Sequence, residues 1–478
     1  MHITYMDYFL KALAGEKSRL IHSFEKIFLT HVLIAATLTS YASGGIEAGS
    51  DIGQVEITAV SYLKKGDKYT SNNSEKTAAA DIVLVYASAK SPSKVKIAIA
   101  LPKPERWNGR WLSLGNGGIG SQLSAEAAAN AAADGFAAAH CNLGTSPLDK
   151  PDFKQMIKDF GHEAVFKMTY AGLKLAESFY GRKPSYSYYV GGSTGGQEGL
   201  SLAERHPELI DGVVVYFPVT NRTRLHARMA FENLILSPKN YFTDSEILKI
   251  TESIVSQNKA FEPENSKPYL QFPEYARVDY SKLDFLSAEQ VEVLKKLHSK
   301  LPYLNAEKNI CWPAPPSSEI ADGGKTLKKG FPCWFPKWVY GEKINDKNFD
   351  LNDYFLKLEN MFAEDMNALP NLKPFFEKGG KLLILQGKLD SIVPAEYVKE
   401  YYRELCNNIG GYQKTMESAR LFLIPGAWHG NFKSDISAYI RGWVEENKAP
   451  EKIEVEVDYL GKKYSETLFP YSPDKGAK

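Results

Sequence analysis

The chain has 478 residues, 44% hydrophobic and 24% charged, which excludes wholesale disorder and implies two units or one large domain carrying an insertion. Lys and Arg number 58 against 57 Asp and Glu, and this net charge of +1 argues against nucleic acid or an anionic membrane surface as the main partner. Four Cys exclude a disulfide-built scaffold, and a 12% aromatic share suits apolar pockets as well as cores.

Residues 27–38 read IFLTHVLIAATL, the length of a signal-peptide apolar region and short for a bilayer span. Lys11, Lys17, Arg19 and Lys26 precede it, and Ser40-Tyr41-Ala42 places small residues at −3 and −1 of a cleavage site. The expectation is an exported chain, periplasmic or secreted, with residues 1–42 as signal peptide and a mature start near Ser43. A buried N-terminal helix is the alternative. No Cys near the site supports a lipid anchor, and past residue 43 no apolar run is long enough for an integral membrane segment.

From residue 54 onward the pattern alternates. VEITAVSYL, DIVLVYAS and VKIAIALP read as strands, and RWLSLGNGG as a strand entering a Gly-rich turn. An Ala-rich helix AEAAANAAADG ends at Gly135, and FAAAHCNLG is the next strand. HEAVFKMTYAGLKLAESFYG has helical period, YSYYVGG is a strand, QEGLSLAERH a helix stopped by Pro207, and GVVVYFP a further strand. Repeated β-turn-α units predict an α/β fold, a mostly parallel sheet covered by helices.

The rhythm breaks over residues 221–370, where helical pieces mix with Pro- and Trp-rich loop around CWPAPP and FPCWFPKWVYG. It returns with KLLILQG, EYVKEYYREL, ARLFLIPG and ISAYIRGWVEEN, and the tail alternates as a hairpin. The expected organisation is therefore a core in two segments, 43–220 and 371–478, with an inserted lid domain at 221–370.

Gly191-Gly192-Ser193-Thr194-Gly195 spells G-x-S-x-G between a strand and a helix, the context of a nucleophile elbow. A Gly-rich turn that binds phosphate or merely turns is the alternative. A Ser nucleophile needs a base oriented by a carboxylate, in the chain order Ser, acid, His on this kind of fold. His206 ends the elbow helix, and His226 and His298 sit on polar helical stretches expected at the surface. Only His429 follows a strand and lies in a short loop, GAWHGN. The acid should leave the preceding strand. KLLILQG runs into Asp390, whose alternative role is a cap for the next helix.

The cluster 115–120, GNGGIG, also spells a dinucleotide fingerprint, but the following strand ends in Asn142 instead of an acid. It makes better sense as an oxyanion loop, with Gly117 or, preferably, Gly118 donating alongside the Thr194 N–H. Asp346, Asn348 and Asp350 mimic the start of a calcium loop, yet Leu351 and Lys357 occupy its required Gly and Glu positions. No metal and no cofactor are expected. Cys311 and Cys333 either pair or remain free buried thiols.

Several stretches together resemble the tannase and feruloyl esterase family of α/β-hydrolases: RWNGRWLSLGNGGIGS, FGHEAVFKMTY through VGGSTGGQEGL, HPELIDGVVVYFPVTNRTRL, LQGKLDSIVP, IPGAWHG and LFPYSP. The resemblance runs from about residue 100 to the C-terminus. It implies Ser193 as nucleophile, His429 as base and Asp390 as orienting acid. Family members usually carry a disulfide between Cys residues just before the Ser and just after the His. Gly192 and Gly430 stand there, Phe469 replaces a tail Cys, and the family's calcium loop is not recognisable, so the chain reads as a disulfide-free variant. The implied activity is a serine carboxylesterase acting on small aromatic esters, of the feruloyl, galloyl or terephthaloyl type. Trp334, Phe335, Trp338 and Tyr340 could stack on the acyl ring, or form a small lid core. A serine peptidase or acyltransferase on the same fold, and a non-catalytic exported binding protein, are the alternative functions.

Overall fold

Strands and helices alternate because apolar residues alternate with period 2, then 3.6, along the chain. The computed structural model describes residues 46–145, 153–262, 267–304, 306–330, 335–341 and 349–473. The signal-like segment lies outside them, as do Cys333, Trp334 and the Asp346–Asn348 stretch. Ten strands form one sheet: β1 (Asp51–Ile52), β2 (Val55–Leu63), β3 (Ile82–Ala89), β4 (Lys96–Pro102), β5 (Arg110–Leu114), β6 (Ala137–Cys141), β7 (Tyr186–Gly192), β8 (Gly212–Tyr216), β9 (Lys381–Gly387) and β10 (Ala419–Ile424). Their order is β1-β2-β3-β4-β6-β5-β7-β8-β9-β10.

The six strands from β6 to β10 pair in parallel. The first four pair antiparallel, and β4 meets β6 antiparallel. Chain connectivity explains the split. A parallel neighbour needs a crossover of a dozen or more residues, usually a helix, and no α-helix lies between β1 and β4. Helices α1 (Ala125–Ala133), α2 (Ala164–Tyr180) and α3 (Thr194–Arg205) supply the crossovers β5–β6, β6–β7 and β7–β8. Gly181 ends α2 at φ +69°, a left-handed conformation that favours Gly.

Between β8 and β9 the chain forms α4 (Arg222–Ile235), α5 (Asp244–Asn258), α6 (Ala288–Leu297), a hairpin of Leu301–Tyr303 and Ala306–Cys311, and α7 (Leu351–Met366). Capping boxes at Thr243/Glu246 and Ser287/Gln290 fix the starts of α5 and α6. Then α8 (Ala395–Ile409) joins β9 to β10, and α9 (Ile436–Glu446) leads to the terminal hairpin Ile453–Tyr459/Lys462–Leu468.

Alternation along the strands builds two faces. Val213, Val215, Leu382 and Ile384 point into a core shared with α2, α3, α7 and α8. Val214, Leu383 and Leu385 point the other way, onto Ile436, Ile440 and Trp443 of α9 and the hairpin residues Ile453, Val455 and Val457. A separate small core is made wholly of residues between Leu236 and Leu327. The large core also takes in Tyr303, Phe335, Trp338, Phe355 and Phe362 from the β8–β9 connection.

Candidate active site

The C-terminal ends of β7, β8, β9 and β10 lie side by side, and the sequence-predicted residues emerge there. Ser193 links β7 directly to α3 with φ +58° and ψ −117°. For a non-Gly residue such a backbone costs about 1–3 kcal/mol and persists only where its surroundings over-determine it. Those surroundings are visible: the Ser193 N–H donates to Tyr216 O at 2.9 Å, and the Ser193 carbonyl accepts from Gly196, Gln197 and Val219 N–H. Gly195 has no room for a side chain, and Gly192 has none while Phe217 keeps its place. A Cβ on Gly192 would lie 2.8 Å from Phe217 Cε2, and one on Gly195 would lie 2.7 Å from Asn116 O, where the loop after β5 crosses the elbow.

His429 leaves β10 and Asp390 leaves β9. His429 Nδ1 lies 2.8 Å from Asp390 Oδ2. Asp390 is fully buried, and its other oxygen accepts the Ile392 and Val393 N–H groups at 2.9 and 2.8 Å. Those bonds fix the carboxylate within its own turn. They also answer the helix-cap alternative, because Pro394 is the cap of α8. Burial lowers the His429 pKa, but the charge and hydrogen bond of Asp390, with the charge of Asp322, outweigh it, and the net shift is upward. One oxygen of Asp322 is buried without a hydrogen-bond partner among the described residues. The Phe217 ring joins the two halves of the site: it packs 4.2 Å from the His429 ring and against Gly192, the residue before Ser193.

The two predicted oxyanion residues are bonded to each other. Thr194 Oγ1 donates to Gly118 O at 2.6 Å, and Gly118 sits at φ +58°. Thr194 is the first residue of α3, so its N–H has no intrahelical acceptor. Gly115, at the loop's base, has room for no side chain, since a Cβ would meet the Tyr189 hydroxyl at 2.1 Å.

Sequence reasoning missed the layer beneath. Glu198, on α3 and fully buried, accepts the Asn116 N–H at 3.1 Å, and burial pushes its carboxyl up to about 8. Arg222, the first residue of α4, donates from Nη2 to Thr194 Oγ1 at 3.1 Å and from Nε to Gln197 Oε1 at 2.8 Å. A signal existed for Glu198, one helical turn beyond Thr194 on α3. Arg222 in NRTRL reads like any exposed helix start. A cavity of about 530 Å³ opens beside the His429 loop, lined in part by Trp428, Gly430, Phe432, Ile320 and Gly323.

Other expectations need correction. Phe335 and Trp338 are 1% and 2% exposed and pack edge-on against Phe160, so neither ring offers a face to a substrate. Trp334 lies outside the described residues. Tyr340 is half-buried, its hydroxyl donating to Asp353 at 2.8 Å. His226 and His298 are not at the surface. His226 stacks on Phe335 at 3.8 Å, and His298 pairs with Glu319 at 2.8 Å. His206 stacks on Phe166 at 4.0 Å. Cys311 is a free buried thiol. Asp350 caps α7. Among the described residues no cluster of three or more His, Cys, Asp or Glu could hold a metal ion, and no helix is long and apolar enough to cross a membrane.

A family model described as tannase and feruloyl esterase matches residues 81–258 and 342–474. A probable feruloyl esterase B-2 of Aspergillus flavus is 26% identical over 427 residues, covering 78% of each chain. A probable feruloyl esterase of Arthroderma benhamiae is 23% identical over 407 residues, 75% of each. Among solved structures, feruloyl esterase B from Aspergillus oryzae superposes with a TM-score of 0.78 at 21% identity, over 88% of this chain and 93% of that one. Tannin acyl hydrolase from Aspergillus niger gives 0.69 at 18% identity, over 89% and 90%. These likenesses agree with the sheet described above, an α/β-hydrolase fold.

Proposed function

This chain belongs to the tannase and feruloyl esterase family of carboxylic ester hydrolases, and from that premise we propose that it cleaves esters of phenolic acids through an acyl-enzyme on Ser193. The observation carrying this reading is the His429–Asp390 pair at 2.8 Å at the ends of β9 and β10, with the Phe217 ring between His429 and the residue before the strained Ser193. In this mechanism Ser193 Oγ attacks the ester carbonyl while His429 Nε2 takes its proton. Asp390 holds the Nδ1–H, fixes the tautomer and stabilises the imidazolium. The N–H groups of Thr194 and Gly118 bind the oxyanion. His429 then protonates the departing alcohol, and water repeats the sequence to release the acid.

The acyl groups that fit this reading are feruloyl, galloyl or terephthaloyl-type aromatics. Residues 221–370 act as a lid over the sheet, and residues 1–42 direct export to the periplasm or medium. A Ser193→Ala protein should fold, lose hydrolysis of methyl ferulate and lose labelling by a fluorophosphonate. Full turnover in that protein would discard the assignment. Parallel assays with an anilide and with a competing alcohol acceptor separate esterase from peptidase or acyltransferase.

A further inference from the structure

We propose that Arg222 is the positioning residue of the oxyanion hole, acting through the Thr194 hydroxyl; this rests on the serine-esterase reading above. The direction of the hydrogen bonds is forced. A threonine hydroxyl has one proton, the Gly118 carbonyl can only accept, and a guanidinium can only donate. The Thr194 proton therefore goes to Gly118 O at 2.6 Å, and a hydroxyl lone pair receives the Arg222 Nη2–H at 3.1 Å. One relay thus sets the Thr194 rotamer and ties the tip of the 115–120 loop to the head of α3. The two donors of the hole belong to the two residues so joined.

The charge of Arg222 points to more than scaffolding. The residue is 4% exposed, and its side-chain hydrogen bonds go to Thr194 and Gln197 and not to a carboxylate. Both its bonded oxygens, on Thr194 and Gln197, are neutral. Glu198 is the carboxyl that acts on it, and burial pushes that carboxyl up to about 8, so it is a weak counterion. A buried cation hydrogen-bonded only to neutral oxygens is costly to keep. An oxyanion forming beyond the Thr194 relay would supply the missing negative charge at the moment of reaction.

The guanidinium is also held from behind. It lies 5.1 Å over the Phe160 ring, and Phe160 packs edge-on against Trp338 at 5.7 Å and Phe335 at 6.5 Å. His226, one turn along α4 from Arg222, stacks on the same Phe335. The aromatic cluster of residues 335–340 thus serves the oxyanion hole from below instead of touching substrate.

The test uses the full chain with methyl ferulate as substrate and fluorophosphonate labelling as an independent readout of Ser193. Arg222→Met should lower kcat by about 100-fold with KM within twofold, in line with loss of a preorganised oxyanion contact. Labelling should slow in proportion. Arg222→Lys, which keeps the charge, should recover at least tenfold of the loss. Thr194→Ser, which keeps the relay hydroxyl, should be at least tenfold faster than Thr194→Val. Thr194→Val should match Arg222→Met, and the double variant should be no slower than either single one, because both break one relay. Arg222→Met with kcat within threefold of wild type overturns the proposal, as do losses that multiply. Should Arg222→Met not fold, the Thr194 pair decides: equal kcat for Val and Ser overturns it. A wild-type protein that takes no label sinks the serine reading itself, whereas a labelled wild type with an indifferent Arg222→Met sinks only this inference.

Discussion

Asp390→Asn separates orientation from fold. The native carboxylate uses one oxygen on two backbone N–H groups, Ile392 and Val393, and the other on His429 Nδ1. Asparagine has one acceptor oxygen and one donor NH₂. Turning the NH₂ toward the turn would strand two buried N–H groups, at about 1–3 kcal/mol each. Facing it toward His429 keeps that bond only if the imidazole changes tautomer. The amide should therefore keep its oxygen on the turn and present NH₂ to Nδ1. His429 must then accept at Nδ1 and carry its proton on Nε2, the nitrogen needed to receive the Ser193 proton. A wrong tautomer in an otherwise intact triad lowers kcat by about 10⁴-fold, equivalent to about 5 kcal/mol of barrier. Little stability should be lost, because the turn keeps both bonds.

The assay is kcat for methyl ferulate from pH 5 to 9, with a melting curve on the same sample. The wild-type acid limb should lie above pH 6.5, because the net shift of His429 is upward and only the neutral imidazole is a base. In Asp390→Asn the residual activity should have its acid limb at lower pH, since burial then dominates. A variant with an unchanged melting curve and kcat within tenfold of wild type would refute Asp390 as the orienting acid.

Three further outcomes follow from the packing. The Glu198 carboxyl is raised to about 8 by burial, so its contribution to stability is complete below its unfolded pKa and is lost as pH rises through 8, by at most about 5 kcal/mol. Glu198→Gln should match wild type near pH 5 and become the more stable protein at pH 9; parallel urea midpoints across that range would contradict this. Phe217→Ala should reduce kcat by about 10- to 100-fold with little change in KM, the scale expected when a catalytic group drifts by about 1 Å. Gly192→Ala should damage the wild type, where the new Cβ would meet Phe217 Cε2 at 2.8 Å, yet add little damage to Phe217→Ala. Additive losses would disprove that contact's role.

What was legible in the sequence was local. Continuous apolar runs such as VVV and LLIL mark buried parallel strands, and the residues just past their ends supplied Ser193, Asp390 and His429. The two oxyanion candidates came from a Gly-rich loop and from adjacency to the Ser. What failed depended on which element packs against which. His226 lies on α4 and His298 at the end of α6 among polar neighbours, so periodicity placed them outside, but packing within the β8–β9 connection buries His226 and leaves the His298 side chain only 8% exposed. Phe335 and Trp338 carry the composition of a stacking surface, and only the position of Phe160 shows that they are spent on packing. The antiparallel edge β1–β4 was missed because strand direction follows from connection length, and the strands themselves look alike.

The partnership of β8 with β9 sets a condition on how the chain reaches this state. Gly212–Tyr216 pairs residue by residue with Lys381–Leu385, and about 165 residues intervene. At about 5–20 residues per second, the chain waits roughly ten to thirty seconds of synthesis between the two strands. Throughout that interval β8 is an open edge with an apolar side chain on each face, the kind of template on which other chains can pair. The proposed nucleophile Ser193 is already synthesised at that stage, but the proposed acid Asp390 and base His429 are not. The half-made protein is thus exposed to association before the proposed acid and base are in place, and shielding of the β8 edge until β9 arrives should raise the yield of folded protein.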